Sequence, residues 1–129
     1  MKVLNIVRHA KSSWDTGGLS YFERPLKNRG VKNSKELATA LDEAGASIDI
    51  VVSSSAVRAI STANLITENL RTSQPEVISR DDLYLSSVEK WIDVIQNASE
   101  EHNEIMIVGH QPTLSMLTNT LVNEPLEHV

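Results

Sequence analysis

The chain has 129 residues, 40% hydrophobic and 22% charged, the profile of one soluble globular domain with a single packed core. Its formal net charge is −5 and it has no cysteine, so disulfides and thiolate chemistry are excluded. Net acidity also argues against a nucleic-acid binder, although a few arginines focused in one cleft still attract an anion.

The first apolar run, residues 3–7, is short and β-branched and closes abruptly on Arg8-His9, which predicts a buried strand. A polar loop over 11–27 follows, containing Gly17-Gly18 and Arg24-Pro25. Helical spacing then appears at Leu37, Ala38, Leu41 and Ala44, ended by Gly45. A second strand over 48–52 leads into Ser53-Ser54-Ser55 and a helix from about 56 to 70, with Ser54 or Ser55 as its N-cap. Val77-Ile78 mark a third strand. Ser86 with Glu89 forms a capping box before a helix carrying Val88, Trp91, Ile92 and Ile95 on one face. A fourth strand over 105–108 precedes Gly109-His110-Gln111-Pro112, and a last helix covers 113–122 with Leu114, Leu117 and Leu121 at core spacing.

Strands alternating with helices predict an α/β fold: a three-layer α/β/α sandwich with a largely parallel central sheet, one domain over 1–129. No apolar stretch has the length of a signal h-region or a transmembrane helix, so the expected address is the cytoplasm, with no membrane partner. Nothing in the pattern specifies an oligomeric state.

Open α/β sheets bind ligands at the carboxyl ends of their strands. Three of the four predicted strands end there in groups suited to phosphate: Arg8 and His9, the serines followed by Arg58, and His110. Arginine is a planar fork for phosphate oxygens, and a neutral imidazole is a competent nucleophile. The serine turn at a helix N-terminus offers N–H groups to an anion, which makes Ser54 a candidate phosphate ligand. A turn-and-cap role explains the same serines. Singly, each residue has an ordinary explanation as surface cation or loop histidine. Together, two arginines and two histidines on one rim suggest covalent phosphoryl transfer. No P-loop and no dinucleotide-binding glycine motif is present. His9, His102, His110 and His128 lack metal-ligand spacing, so no metal and no cofactor are expected. His102, among Glu100, Glu101 and Glu104, is expected on the opposite rim and exposed, and His128 is expected to be solvated.

At these residues the chain resembles the histidine phosphatase, or phosphoglycerate-mutase-like, superfamily. The markers are Arg8-His9-Ala10, then Ser54-Ser55-Ala56-Val57-Arg58-Ala59 with Thr62-Ala63, then Gly109-His110. Arg8-His9-Ala10-Lys11-Ser12, Glu23-Arg24-Pro25-Leu26 with Arg29-Gly30, and Val108-Gly109-His110-Gln111-Pro112 resemble its SixA-type phosphohistidine phosphatase branch. The resemblance implies a phosphoglycerate-mutase-like sheet without a large cap insertion. It implies that His9 is the nucleophile, and that Arg8, Arg58 and His110 bind the equatorial phosphoryl oxygens. It places a general acid at Asp82, beside Asp81, where a turn residue is the alternative reading. Ala10 stands where glycine is common in the family. Relatives continue into a further strand beyond the point where this sequence ends at Glu127-His128-Val129. Without that strand, lower stability or pairing with another chain is expected.

From His9 to Arg58 is 58 − 9 = 49 positions, and from Arg58 to His110 is 110 − 58 = 52, which leaves little for a cap. The leading substrate is therefore phosphohistidine on a partner protein, such as a phosphotransfer domain or a phosphocarrier protein. The alternatives are a small phosphate ester, or phosphoprotein binding without turnover. The loop over 12–27, with Trp14, Tyr21, Phe22 and Lys27, is expected beside the pocket.

Overall fold

A computed structural model describes residues 2–10, 22 and 24–122, in which strands and helices alternate strictly. They are β1 (Val3–Arg8), α1 (Asn28–Glu43), β2 (Ile50–Ser54), α2 (Val57–Asn69), β3 (Glu76–Arg80), α3 (Val88–Ser99), β4 (Glu104–Gly109) and α4 (Thr113–Val122). A single 3₁₀ turn, Asp81–Leu83, joins β3 to α3. The expectations for Trp14, Tyr21, His128 and the C-terminal end fall outside the described residues.

The strands form one sheet in the order β1-β4-β2-β3, and every pairing is parallel. Side chains alternate across it. Val51, Met106 and Val108 pack with Ala38 of α1 and with Ala59, Ala63 and Ile66 of α2. Ile50, Val52, Ile105 and Ile107 face the other way, onto Leu83, Trp91 and Val94, and onto Leu114 and Leu117 of α4. With helices on both faces, the inner strands are continuously apolar over Ile50–Val52 and Ile105–Val108, which is why they read as runs. Each such side chain contributes about 1.5–3 kcal/mol by leaving water.

Register sets the rim. Arg8 lies opposite Gly109, Ser53 opposite Val108, and Ser54 opposite Arg80, so the carboxyl ends of the four strands finish nearly level. The parallel α/β architecture is as the alternation implies, with four differences in detail. β2 spans Ile50–Ser54, so Ser53 and Ser54 are buried strand residues and not a turn. The ladder to β3 and β4 continues through them and uses their backbone groups. The N-cap of α2 is consequently Ala56, without a side-chain cap. The cap of α3 is shifted by one residue: the Ser87 hydroxyl accepts the Lys90 N–H at 3.2 Å, while Ser86 donates to the Leu83 carbonyl. Leu121 is 37% exposed, because contact of α4 with the core is made through Leu114 and Leu117.

Gly45 ends α1 at φ +80°, a left-handed position that suits glycine. Gly109 is required for another reason. A Cβ there would lie 2.8 Å from Trp91 Cζ2 and 3.2 Å from Leu114 Cδ2. Trp91 is 1% exposed and packs in the core cluster with Leu83, Val94 and Leu114. Gly109→Ala should therefore cost about 1–3 kcal/mol, read as a lowered Tm in thermal melts. An unchanged Tm would mean that the indole swings aside freely.

Candidate active site

Site construction begins at the end of β1. The His9 N–H donates to the Gly109 carbonyl at 3.1 Å, which fixes the backbone just beyond the strand. The His9 Nδ1 lies 2.8 Å from the Ala10 carbonyl oxygen. A carbonyl only accepts, so Nδ1 carries the ring proton and Nε2 keeps a bare lone pair. The next link reaches α2: the Ala10 N–H donates to Thr62 Oγ1 at 3.0 Å, and that hydroxyl donates to the Arg58 carbonyl at 2.7 Å. Arg58 is the second residue of α2 and has no exposed surface.

His110 follows β4 and is buried, its carbonyl accepting the Leu114 N–H at 3.1 Å. The rings of His9 and His110 are 5.2 Å apart, tilted by 53°. Tyr84, at the exit of the 3₁₀ turn, closes the other side. Its ring meets His110 edge-on at 5.6 Å and Phe22 edge-on at 5.0 Å, and the Arg58 guanidinium carbon lies 5.8 Å from its centroid. That last distance is within the range of a cation–π contact. Arg8 is the last residue of β1; it is exposed and lines a cavity of about 460 Å³ with Leu4, Ile6, Gln111 and Leu114.

Burial and cationic surroundings both act on the histidines. Burial lowers the His9 pKa; the hydrogen bond to Ala10 opposes this, and the charges of Arg58, Arg8 and Arg24 reinforce it. For His110, burial first, then Arg58 and His9, push the value down to about 4. Both rings are neutral at pH 7. The result is an unprotonated imidazole nitrogen beside a buried guanidinium, an arrangement suited to nucleophilic attack on an anionic group.

Of the predicted site residues, His9, Arg58 and His110 come together, and Arg8 stands at the rim. Ser54 is present but differently engaged: its Oγ lies 2.8 Å from His110 Nε2 and accepts the Ala56 N–H at 3.3 Å. Asp82 is held elsewhere. Its carboxylate takes Arg80 Nε at 2.9 Å and Nη2 at 2.6 Å, with Lys90 Nζ at 3.0 Å. The hydrogen bonds from Arg80 and then Lys90 hold it well below the usual carboxylate range. An acid held ionised has no proton to donate near neutrality, so this geometry does not make Asp82 a proton donor. His102 is half-buried rather than exposed, just before β4 on the opposite rim.

Two contributors lie outside the predicted set. Arg24 is buried and its charge reaches His9; it lies in the stretch Arg24-Pro25-Leu26, which carries part of the family resemblance. Tyr84 had no sequence signal. Three of the four connections on this rim are short, residues 55–56, 81–87 and 110–112, and none of these three carries an inserted domain; the fourth, residues 9–27, lies mostly outside the described residues. Among the described residues, no three His, Asp or Glu side chains cluster as metal ligands, and no helix is long and apolar enough to cross a membrane.

A family model described as the histidine phosphatase superfamily (branch 1) matches residues 4–84. The chain is 30% identical over 93 residues to a phosphoglycerate mutase of Candida albicans, covering 70% of this chain but about a third (34%) of that protein. Its fold superposes on a crystal structure assigned as the phosphohistidine phosphatase SixA of Agrobacterium tumefaciens, with TM-score 0.86 and 25% identity, over 99% of this chain and 82% of that one. The protein histidine phosphatase SixA complexed with tungstate shares the fold at TM-score 0.78 and 22% identity, over 89% of this chain and 73% of the other.

The depressed histidines have a consequence for stability. An unfolded imidazole takes up a proton near its ordinary pKa of 6.5, whereas folded His110 resists until about 4. Between these values the unfolded state binds more protons, so stability falls as pH drops from about 6.5 to about 4. NMR titration should show His110 changing charge near 4 and His9 below 6.5. Two ordinary titrations would show that neither ring is buried against the arginines.

Proposed function

Since the chain belongs to the histidine phosphatase superfamily, we propose that it is a phosphatase that hydrolyses phosphohistidine on a partner protein. The observation that carries this reading is the Ala10 carbonyl on His9 Nδ1, which leaves Nε2 free to attack beside Arg58 and His110. In the first step Nε2 forms a bond to phosphorus while the P–N bond to the substrate imidazole breaks, and the departing imidazole takes a proton from solvent. In the second, water attacks the phosphoryl group on His9 as the P–Nε2 bond breaks, the water's proton passes to solvent, and inorganic phosphate leaves with the His9 imidazole restored. Arg8, Arg58 and His110 bind the equatorial oxygens, whose charge persists through both steps. No carboxylic acid is required, because imidazole needs less help to leave than an alkoxide.

The three short rim connections support a substrate displayed on a protein surface. They offer a small ester little enclosure, and little binding energy remote from the phosphoryl group. The resemblance to SixA structures agrees with this choice. The similarity to a phosphoglycerate mutase supports the second reading, a small-molecule phosphomonoesterase. The expected setting is the cytoplasm, with neither metal nor cofactor.

With a histidine-phosphorylated phosphocarrier protein in EDTA, the protein should release phosphate at its full rate. His9→Ala should lose at least about 10³-fold, as expected on removing a covalent nucleophile. Comparable kcat/KM on a small ester would favour the monoesterase, and binding without release would leave a phosphoprotein-binding module. Asp82→Asn should lower turnover less than about threefold, whereas loss of a general acid costs about 10²–10⁴-fold. A loss in that range would restore Asp82 as proton donor.

A further inference from the structure

We infer that Ser54 is a positioning residue acting through His110: its hydroxyl donates to His110 Nε2 and keeps the imidazole proton on Nδ1. The Ser54 side chain is fully buried, and its Oγ has two partners among the described residues, the Ala56 N–H at 3.3 Å and His110 Nε2 at 2.8 Å. A hydroxyl has one proton and two acceptor positions. The Ala56 N–H occupies one acceptor position, so the proton is left for Nε2. His110 Nδ1 is buried and has no hydrogen-bond partner among the described residues.

Counting unmet groups decides between the two tautomers. If Nε2 carried the proton, Ser54 would accept twice, leaving both its own O–H and the Nδ1 lone pair unsatisfied. If Ser54 donates, a single group is unmet, the Nδ1–H. Buried polar groups without partners are costly, so the second arrangement prevails. The ring is neutral and has one N–H to offer, so Ser54 determines which nitrogen is a donor. The unmet group is then the kind an oxyanion satisfies. The tautomer of the neutral ring follows from the hydrogen-bond geometry; its use on a phosphoryl oxygen rests on the phosphatase reading.

The test is ¹⁵N NMR of the histidine rings in the free 129-residue chain at pH 7, with His110 assigned by loss of its signals in His110→Asn. The expected spectrum has His110 protonated at Nδ1. Ser54→Ala should move the proton to Nε2 and lower kcat by about 10–100-fold, with Ser54→Thr restoring both. Wild-type protein protonated at Nε2 would overturn the assignment even if the variants fail to fold, and so would an Ala variant that keeps the Nδ1–H tautomer. An Nδ1–H ring in a protein that releases no phosphate would overturn the phosphatase reading and leave the role of Ser54 in place.

Discussion

Arg58 holds a full positive charge where no surface reaches solvent, and the site is arranged around that charge. Taking a guanidinium out of water costs several kcal/mol, and its place in the first turn of α2 adds the positive end of a helix dipole. Tyr84 offers the negative face of its ring, and Thr62 ties the Arg58 carbonyl to the loop after β1. What remains is a concentrated positive potential, to which Arg8 and Arg24 add at the position of His9. Burial first, with this potential reinforcing it, lowers the pKa of His9 and of His110. A dianionic phosphoryl group is the chemical complement of such a potential.

The sheet makes this concentration of charge possible. Parallel pairing in the order β1-β4-β2-β3 puts β4 at the centre, so His110 emerges between the ends of β1 and β2. The register of Arg8 with Gly109 fixes how far His9 and His110 project, to within one residue. Packing below the rim enforces the same alignment, because Trp91 presses against Gly109 on one face while α1 and α2 cover the other. A shift of one residue in β4 would exchange the two faces of its side chains and remove both the core contacts and the site.

Much of this was legible in the sequence, for reasons specific to each segment. β1 and β4 are short β-branched runs that end in charge or in Gly-His, and α4 has its stated limits because its apolar spacing and the preceding proline agree. The serines after Val52 were ambiguous, because whether a serine continues a strand depends on the partner strands and not on its own propensity. Asp82 has the sequence position of a family acid, but the partners that claim it, Arg80 and Lys90, come from β3 and α3. Tyr84 and Arg24 contribute through contacts that no local spacing encodes. The four chemical residues were readable as a set because strand ends are local features, whereas their supports are tertiary.

The hydrogen bond between His9 and the Ala10 carbonyl also governs the identity of the covalent adduct. Imidazole can be phosphorylated on either nitrogen, and the two products are distinct regioisomers with different lability. With Nδ1 committed to the main chain, phosphorylation in the proposed cycle is confined to Nε2, the tele position. Backbone geometry at one residue therefore imposes regioselectivity on a side chain that has none of its own.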